Sequence, residues 1–568
     1  MQSRRQFVTK AAATGAAATI SPMLLSQLAS ATGVHAAGGS TTGFTDGVAS
    51  GEPTPNSIVL WTRLAGAGAS NNVELIVSTD AGFSKTVAHA TIKTSNLVGG
   101  SVKAQVAGLK AHTQYYYQFT TAGSVSDTGR FRTALPADSN ATVKYAFFSC
   151  LDFTHGYFNA FKHMAEQDFD FVMMLGDFIY AETYHTTAPG DGTAVRDDNI
   201  GSPEPGYNDG RNVAQTLADY RLKYSLYRTD EHLKAVMAKF PVIAIWDDHE
   251  VQNNYAGGAG GDGGLPANER YSVARRKAGY QAWFENMPTY GARKGTTTMY
   301  RRLQYGKTLD VIMMDQRQYR ANQACDDAVV AACPTWDKTR AFLGKEQMAW
   351  VKKQLSASKA NWKVMGNELT MMPTKVLGGA FFGFDSWQGY PKERTELLSY
   401  IDKNKIKNVV WNTGDIHTFI VGDVKLNGAG TTAGGKLGTG KSTGVEFVAG
   451  SITSSGLGET DLPAGTAGGK PVIIKGNDAN PNTPESIIKI LRGINTWVED
   501  ADFDHHGYGS ATVSSKNYEC ELVRMSTIKI HDDTTIAPNG IGADKKPKKS
   551  WKWRIPSGAK TTVGHRLP

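Results

Sequence analysis

The sequence predicts a small all-β unit followed by a larger α/β domain. Three observations carry that reading. Between Gly47 and Pro136, short apolar runs alternate with turn residues and no convincing amphipathic helix interrupts them. From Val143 onward, short apolar runs alternate instead with helical segments, the pattern of an α/β domain with buried strands. At 568 residues the chain is also too long for one ordinary core, so two or more domains are expected. Composition fits a folded protein, with 40% hydrophobic, 20% charged and 10% aromatic residues.

The N-terminal segment, residues 1–36, is read first. Ser3-Arg4-Arg5-Gln6-Phe7-Val8 with Lys10 resembles the twin-arginine export signal. An alanine-rich, weakly apolar stretch from Ala11 to Ala31 follows, and Val34-His35-Ala36 fits a signal peptidase site. Thr, Ser and Gln break the apolar part too often for a convincing membrane span. The resemblance implies passage through the twin-arginine translocation machinery and a periplasmic or secreted product. That route carries proteins already folded, often with metal inserted.

The all-β unit is placed at residues 44–136. IVLWTRL, VELIVST, SVKAQVAGL, YYYQFTT and GRFRTA read as its strands. A small β-sandwich accounts for them. Leu109 to Tyr115 resembles the fibronectin type III corner, in which a Tyr caps a strand crossing. Ala134 to Ala141, ALPADSNA, reads as a linker.

The α/β domain is placed at residues 143–530. Its predicted strands are VKYAFFSC, FDFVMMLGD, PVIAIWDD, TLDVIMMD, WKVMGNE and KNVVWNTGD. Helices are predicted near Tyr157–Glu166, through Asp219–Lys239, near Lys345–Ser356 and near Lys392–Lys403. The chain turns β-like again at YGSATVSS and YECELVRMST. Gly257 to Gly264 and Gly428 to Lys441 read as glycine-rich loops, the second without the spacing of a phosphate-binding P-loop. Net charge is +8, with much of the excess in a basic tail, residues 540–568. Such a tail suits an anionic surface or simple solvation, although two Trp in KSWKWRI point to part of it packing on the body. No nucleic-acid-binding motif is present.

Of four cysteines, Cys325 and Cys333 stand eight apart in a polar segment and suit a loop-stapling disulfide. None makes a C-x-x-C zinc pattern. Cys150 ends an apolar run, at the C-terminal end of a predicted strand.

Four strands end in polar groups with a shared chemistry. Cys150 is followed by Asp152; the next strand gives Asp177 and Tyr180; a third gives Asp247, Asp248, His249, Glu250, Asn253 and Asn254; a fourth gives Asp415 and His417. Ligands of α/β sheets bind beyond the carboxyl ends of strands. Buried carboxylates are costly unless paired or metal-bound, so pooled strand ends of this kind call for cations. Taken singly, each motif also fits a turn or a helix cap. Taken in this order along an α/β chain, they point to a metal site.

The order GD…DDHE…GD-x-H resembles the metallophosphoesterases, and specifically the PhoD-type alkaline phosphatases. Similar stretches include GVASGEPTPNSIVLWTRL, FFSC, GDFIYAE, WDDHE, MMDQRQYR, FLGKEQMAWV and NTGDIHTF. The resemblance implies an α/β metallophosphoesterase domain, a β-sandwich flanked by helices, behind a fibronectin-III-like sandwich. It implies Fe³⁺ and Ca²⁺ as cofactors, with Cys150, Asp177, Tyr180 and His417 as iron ligands. Asp177 would bridge to calcium with Asp248, and Asp415 would lie in the same shell. His249 would act as general acid or stabilise the transition state. A further Asn ligand has Asn212 as a candidate, and Asn367 and Glu368 occupy another strand end. There is no His between His249 and His417, which disfavours a nitrogen-rich Zn or Mn site and suits oxygen-rich calcium.

The implied reaction is hydrolysis of phosphate mono- or diesters by metal-activated hydroxide. Arg221 and Arg228 are candidates for holding an anionic substrate, and equally for surface ion pairs. Two alternatives remain at this point: a phospholipase D-like phosphodiesterase on the same metals, and a calcium-stabilised cell-surface binding protein.

Overall fold

A computed structural model describes residues 19–22, 43–186, 193–203, 212–256, 273–291, 297–327, 333–375, 381–427, 439–459, 462–467, 470–474, 492–537, 551–562 and 564–567. Arg4, Arg5 and the expected cleavage segment Val34–Ala36 lie outside them, as do Gly257–Gly264 and most of the Gly428–Lys441 loop.

The first strands are β1 (Thr19–Pro22), β2 (Val48–Gly51), β3 (Ser57–Arg63), β4 (Asn71–Ser78), β5 (Thr86–Thr94), β6 (Ser101–Ala107), β7 (Gln114–Thr121), β8 (Ser124–Val125) and β9 (Gly129–Arg132). Strict alternation builds their core. Val73, Leu75 and Val77 of β4 face Tyr115, Tyr117 and Phe119 of β7 inward, while the residues between them stay partly exposed. The predicted tyrosine corner is present: the Tyr115 hydroxyl accepts the Lys110 N–H at 2.9 Å.

The rest of the chain continues with β10 (Val143–Phe148), α1 (Asn159–Glu166), β11 (Phe171–Leu175), the short pair β12 (Ser202–Pro203) and β13 (Asn212–Val213), α2 (Leu217–Tyr227), α3 (Glu231–Lys239), β14 (Pro241–Ile245) and α4 (Val273–Asn286). Then come β15 (Arg301–Tyr305), β16 (Leu309–Met313), α5 (Gly344–Ala357), β17 (Trp362–Asn367), α6 (Pro391–Lys403), β18 (Val409–Thr413), β19 (Phe419–Asn427) and β20 (Thr439–Val448). The chain ends with β21 (Leu462–Ala467), β22 (Lys470–Ile474), β23 (Val498–Asp502), β24 (His506–Val513), β25 (Asn517–Met525) and β26 (Lys552–Pro556).

Two large mixed sheets form the body. One runs β1-β6-β3-β2-β14-β11-β10-β24-β25-β26 and the other β15-β16-β17-β18-β20-β19-β23. Strands β10, β11 and β14 are parallel neighbours, as are β16, β17, β18 and β20. Their residues are buried almost without exception, as parallel strands covered on both faces require. The sheets pack on each other: the Tyr145 hydroxyl of β10 donates to Asn412 Oδ1 of β18 at 2.7 Å. On the outer face of the second sheet, Met348, Val351 and Leu355 of α5 and Leu397, Leu398 and Ile401 of α6 share a core with Ile312 and Trp411.

One sequence expectation needs correction. The predicted helix through Asp219–Lys239 is two helices, because the chain leaves helical geometry after Arg228 and the Asp230 carboxylate caps a fresh start at the N–H groups of His232 and Leu233. The boundary between residues 44–136 and 143–530 does not separate two sheets, since β2 pairs in parallel with β14 and carries the first sheet through. As the two Trp of KSWKWRI suggest, part of the 540–568 tail packs on the body: β26 completes the first sheet against β25, and Trp553 is fully buried.

Candidate metal centre

The parallel strands of both sheets point their C-terminal ends at one rim of the body. The residues just beyond those ends are Cys150 after β10, Asp177 after β11, Asp247 to Glu250 after β14, Asp315 and Arg317 after β16, Glu368 after β17, and Asp415 with His417 after β18. The rim opens into a cavity of about 640 Å³ whose wall includes Asp177, Tyr180, Asp248, His249, Asp415 and His417.

Backbone strain marks the same places. Cys150, Asp177, Asn254, Asp415 and His417 all have φ between +52° and +66°. Each costs about 1–3 kcal/mol for a non-glycine residue, and such strain concentrates at functional sites. Gly176 lets the strand ends close up, because a Cβ there would lie 2.2 Å from Asp247 Cβ.

One half of the floor gathers Cys150, Asp177, Tyr180 and His417. Cys150 Sγ lies 3.5 Å from Asp177 Oδ2, the Tyr180 hydroxyl 3.4 Å from the same oxygen, and Tyr180 Oη 3.0 Å from His417 Nε2. His417 Nδ1 donates to the Ser455 carbonyl at 2.9 Å, so Nε2 turns its lone pair inward. Burial pushes the Asp177 carboxyl well above the usual range, and Asp248 adds to the rise. Burial, then Asp177, likewise raises the Cys150 thiol. Burial, then Cys150, raises Tyr180. Burial depresses the His417 imidazole to about 4. Among the described residues no Lys or Arg pairs with Asp177.

The other half holds its own cation. Arg317, fully buried, contacts Asp247, reaches Asp385 at 2.7 Å and Asp415 at 3.1 Å, and lies 3.5 Å from Asp248. Burial opposes ionisation of Asp248, but Arg317 and His249 outweigh it and hold that carboxyl below the usual range. Burial raises Asp247 to about 7 despite Arg317. Asp247 Oδ2 is buried and accepts no hydrogen bond among the described residues. Asp415 thus groups with Asp247 and Asp248, whose oxygens lie within 4.8 Å of one another.

His249 stands between the halves. Its N–H donates to Asp177 Oδ1 at 3.2 Å, and its ring stacks on Tyr180 with centroids 4.0 Å apart. Nδ1 pairs with Glu182 at 2.9 Å, which leaves Nε2 for the cavity. Burial would lower this imidazole, yet Asp248, Asp177 and Glu182 together raise it well above its ordinary value. Glu250 braces the loops by accepting the N–H groups of Asp177, Phe178 and Asp247 at 2.6–3.1 Å.

Several sequence candidates fall elsewhere. Arg221 pairs with Glu285 at 2.7 Å, and Arg228 is buried with its guanidinium 4.1 Å from the Trp61 ring. Neither lines the cavity, so their assignment to substrate is corrected: both tie the helices to the sandwich. The Asn212 carbonyl accepts the Thr183 N–H, and Asn367 bonds Gln316 and Thr413. Cys325 and Cys333 are joined as a disulfide. Sequence reasoning missed Arg317, Asp385, Glu182 and the Ser454-Ser455 loop. The signal for Arg317 was an arginine two residues beyond a predicted strand, in MMDQRQYR.

The donor set fits metal ions. Thiolate, phenolate and carboxylate are anionic donors suited to a trivalent transition metal, and the aspartate cluster offers hard oxygens for a group 2 cation. Clustered buried acids without enough protein cations need such charge.

The family model for PhoD-like phosphatases matches residues 145–522, and that for the PhoD-like phosphatase N-terminal domain matches residues 28–135. Alkaline phosphatase D of Bacillus subtilis (strain 168) is 34% identical over 430 residues, which cover 73% of this chain and 70% of that protein. A solved structure of PhoD superposes with a TM-score of 0.75 at 28% identity and covers 94% of each chain. Through matches that span the sandwich and the metal-site domain alike, the chain belongs to the PhoD-like phosphatase family.

Proposed function

We propose that this protein is an alkaline phosphatase that hydrolyses phosphate esters in the rim cavity, using Fe³⁺ held by Cys150, Asp177, Tyr180 and His417 and Ca²⁺ held by Asp248 and Asp415, with Asp177 shared. The observation that carries the reading is the convergence of those six side chains from four strand-end segments, five of them lining one cavity and Cys150 packed beside Asp177. When bound, such ions lower the pKa of water and offset the negative charge of phosphoryl oxygens.

The chain's own residues do the rest. Glu182 fixes the His249 ring through Nδ1 and favours its protonated form, so Nε2–H can donate to a phosphoryl oxygen or pass its proton to the departing ester oxygen. Stacking on Tyr180 keeps that ring in place. Ser455 holds His417 in the tautomer that presents Nε2. Arg317 holds Asp247, Asp385 and Asp415 in register and adds a fixed positive charge beneath the substrate.

The test is hydrolysis of p-nitrophenyl phosphate and bis-p-nitrophenyl phosphate by purified protein, with metal analysis. Activity lost to a calcium chelator, iron in the protein and a visible charge-transfer band support the proposal. A colourless, iron-free, fully active enzyme overturns the iron assignment. Choline release from phosphatidylcholine exceeding p-nitrophenyl phosphate turnover would favour the phospholipase D-like reading, and an inert protein that adheres to cells the binding one. Export by the twin-arginine route belongs to the same proposal. No helix among the described residues is long and apolar enough to cross a membrane. Arg4→Lys with Arg5→Lys should hold the protein in the cytoplasmic fraction, and unchanged export removes the assignment.

A further inference from the structure

We propose that His155, Glu459 and His506 form a second transition-metal site of the zinc class, buried behind the cavity wall and separate from the strand-end donors. The three residues are 0%, 4% and 6% exposed at their side chains, and one ligand atom from each lies within 4.8 Å of the others. Two imidazoles and one carboxylate are a common donor set for zinc.

The tautomers argue for a cation there. His155 Nδ1 lies 2.5 Å from the Thr453 carbonyl, which can only accept, so Nδ1 carries the proton and Nε2 holds a lone pair. His506 Nδ1 lies 2.9 Å from Ser451 Oγ, whose own proton goes to the Ser454 carbonyl. His506 Nδ1 therefore donates as well, and its Nε2 faces Glu459 Oε2 at 3.1 Å. A neutral imidazole lone pair against a carboxylate at that distance is repulsive. A single added proton on His506 would relieve that pair alone. It would leave His155 Nε2 3.9 Å from Glu459 Oε1 and 3.4 Å from Ser455 Oγ, a poorly matched buried acceptor. One divalent ion satisfies all three groups at once. Tetrahedral zinc with bonds near 2.0–2.1 Å needs ligand atoms about 3.3 Å apart, a modest contraction of the present spacing.

Outer contacts already hold the ligands as metal sites do. Thr453 and Ser451 fix the two imidazoles, Gly456 N–H donates to Glu459 Oε2 at 2.8 Å, and His155 stacks on His185 with centroids 4.2 Å apart. The position has a consequence. Ser451 to Glu459 is one loop, and from it Ser454 Oγ donates to the Tyr180 hydroxyl at 2.6 Å while the Ser455 carbonyl takes the His417 proton. An ion on Glu459 would pin the loop that orients Tyr180 and His417. These three residues are thus positioning residues.

The test uses the full chain carrying Cys150→Ser and Asp177→Asn, which removes two of the six strand-end donors; Glu459 and His506 variants then separate binding here from binding at those that remain. After chelation it is titrated with Co²⁺ and with Zn²⁺, read by the visible absorption of Co²⁺, bound metal after desalting and thermal stability. We expect one tight equivalent, an intense band of four-coordinate Co²⁺ and a higher Tm with Zn²⁺. Glu459→Gln and His506→Gln should each weaken binding at least tenfold and abolish the Tm response. No retained equivalent in the parent, or full binding by both variants, overturns the site. If one variant does not fold, the other still decides. Neither readout depends on phosphatase activity, so failure here is distinct from failure of the proposed function.

Discussion

The two halves of the cavity floor solve one electrostatic problem differently. Around Asp247, Asp385 and Asp415 the negative charge is met by Arg317, a cation bonded into the chain. Around Cys150, Asp177, Tyr180 and His417 the donors are as buried, yet no Lys or Arg among the described residues pairs with them. The first half is partly neutralised by folding itself, since Arg317 alone meets four carboxylates and leaves oxygens of Asp248 and Asp415 for a bound cation. The second is built to take its charge from outside, and burial, by raising Cys150, Asp177 and Tyr180, resists their ionisation until a cation arrives. Structure belongs to the fixed cation, and chemistry to the exchangeable ones.

The sharpest way to break that contrast is Asp177→Asn. It removes the carboxylate that contacts Cys150, Tyr180 and the His249 backbone N–H, and should cut kcat/KM on p-nitrophenyl phosphate by on the order of 10³-fold or more with little change in Tm. Retained activity would take Asp177 out of the chemistry. Arg317→Met should do the opposite in kind. It leaves three acids facing one another and should cost about 3–5 kcal/mol of stability, read by denaturant unfolding. A variant as stable as its parent would show that the fixed cation is dispensable. His249→Gln tests the group between the halves. A loss of about 10²-fold in kcat with iron content unchanged is expected, and loss of iron would make His249 a structural support instead. The smallest effect is expected for Arg221→Gln, far from either half. Its KM should stay within about twofold while stability falls by roughly 1–3 kcal/mol with the Glu285 pair. A large rise in KM would return Arg221 to the substrate.

Legibility in the sequence followed the range of the interactions. The strand-end motifs were readable because a strand and the polar turn after it are local, and GD, DDHE and GD-x-H keep their chemistry within a few residues. Parallel order then placed those ends together. Arg317 was not readable. Its partners Asp247 and Asp385 lie 70 and 68 residues away, and a buried arginine looks in sequence like an exposed one. Glu182 was hidden the same way, since its tie to His249 spans 67 residues. Arg221 and Arg228 stayed open between substrate and ion pair because a helix beside a metal motif offers no sign of which face it turns inward. The sandwich was legible from its alternation, but its fusion with the larger sheet was not, because each strand of the β2–β14 pair reads as complete in isolation.

That shared sheet has a practical consequence. Shortening the gene to begin at the second segment would strip β2 from β14 and bare a row of backbone donors and acceptors one turn from the DDHE motif. It would also cut the Arg301–Glu52 ion pair and the Trp61 bond to the Glu285 carbonyl. Such a truncated product should precipitate or stack edge to edge rather than survive as a minimal enzyme, so the sandwich serves as a permanent edge guard for the hydrolytic half.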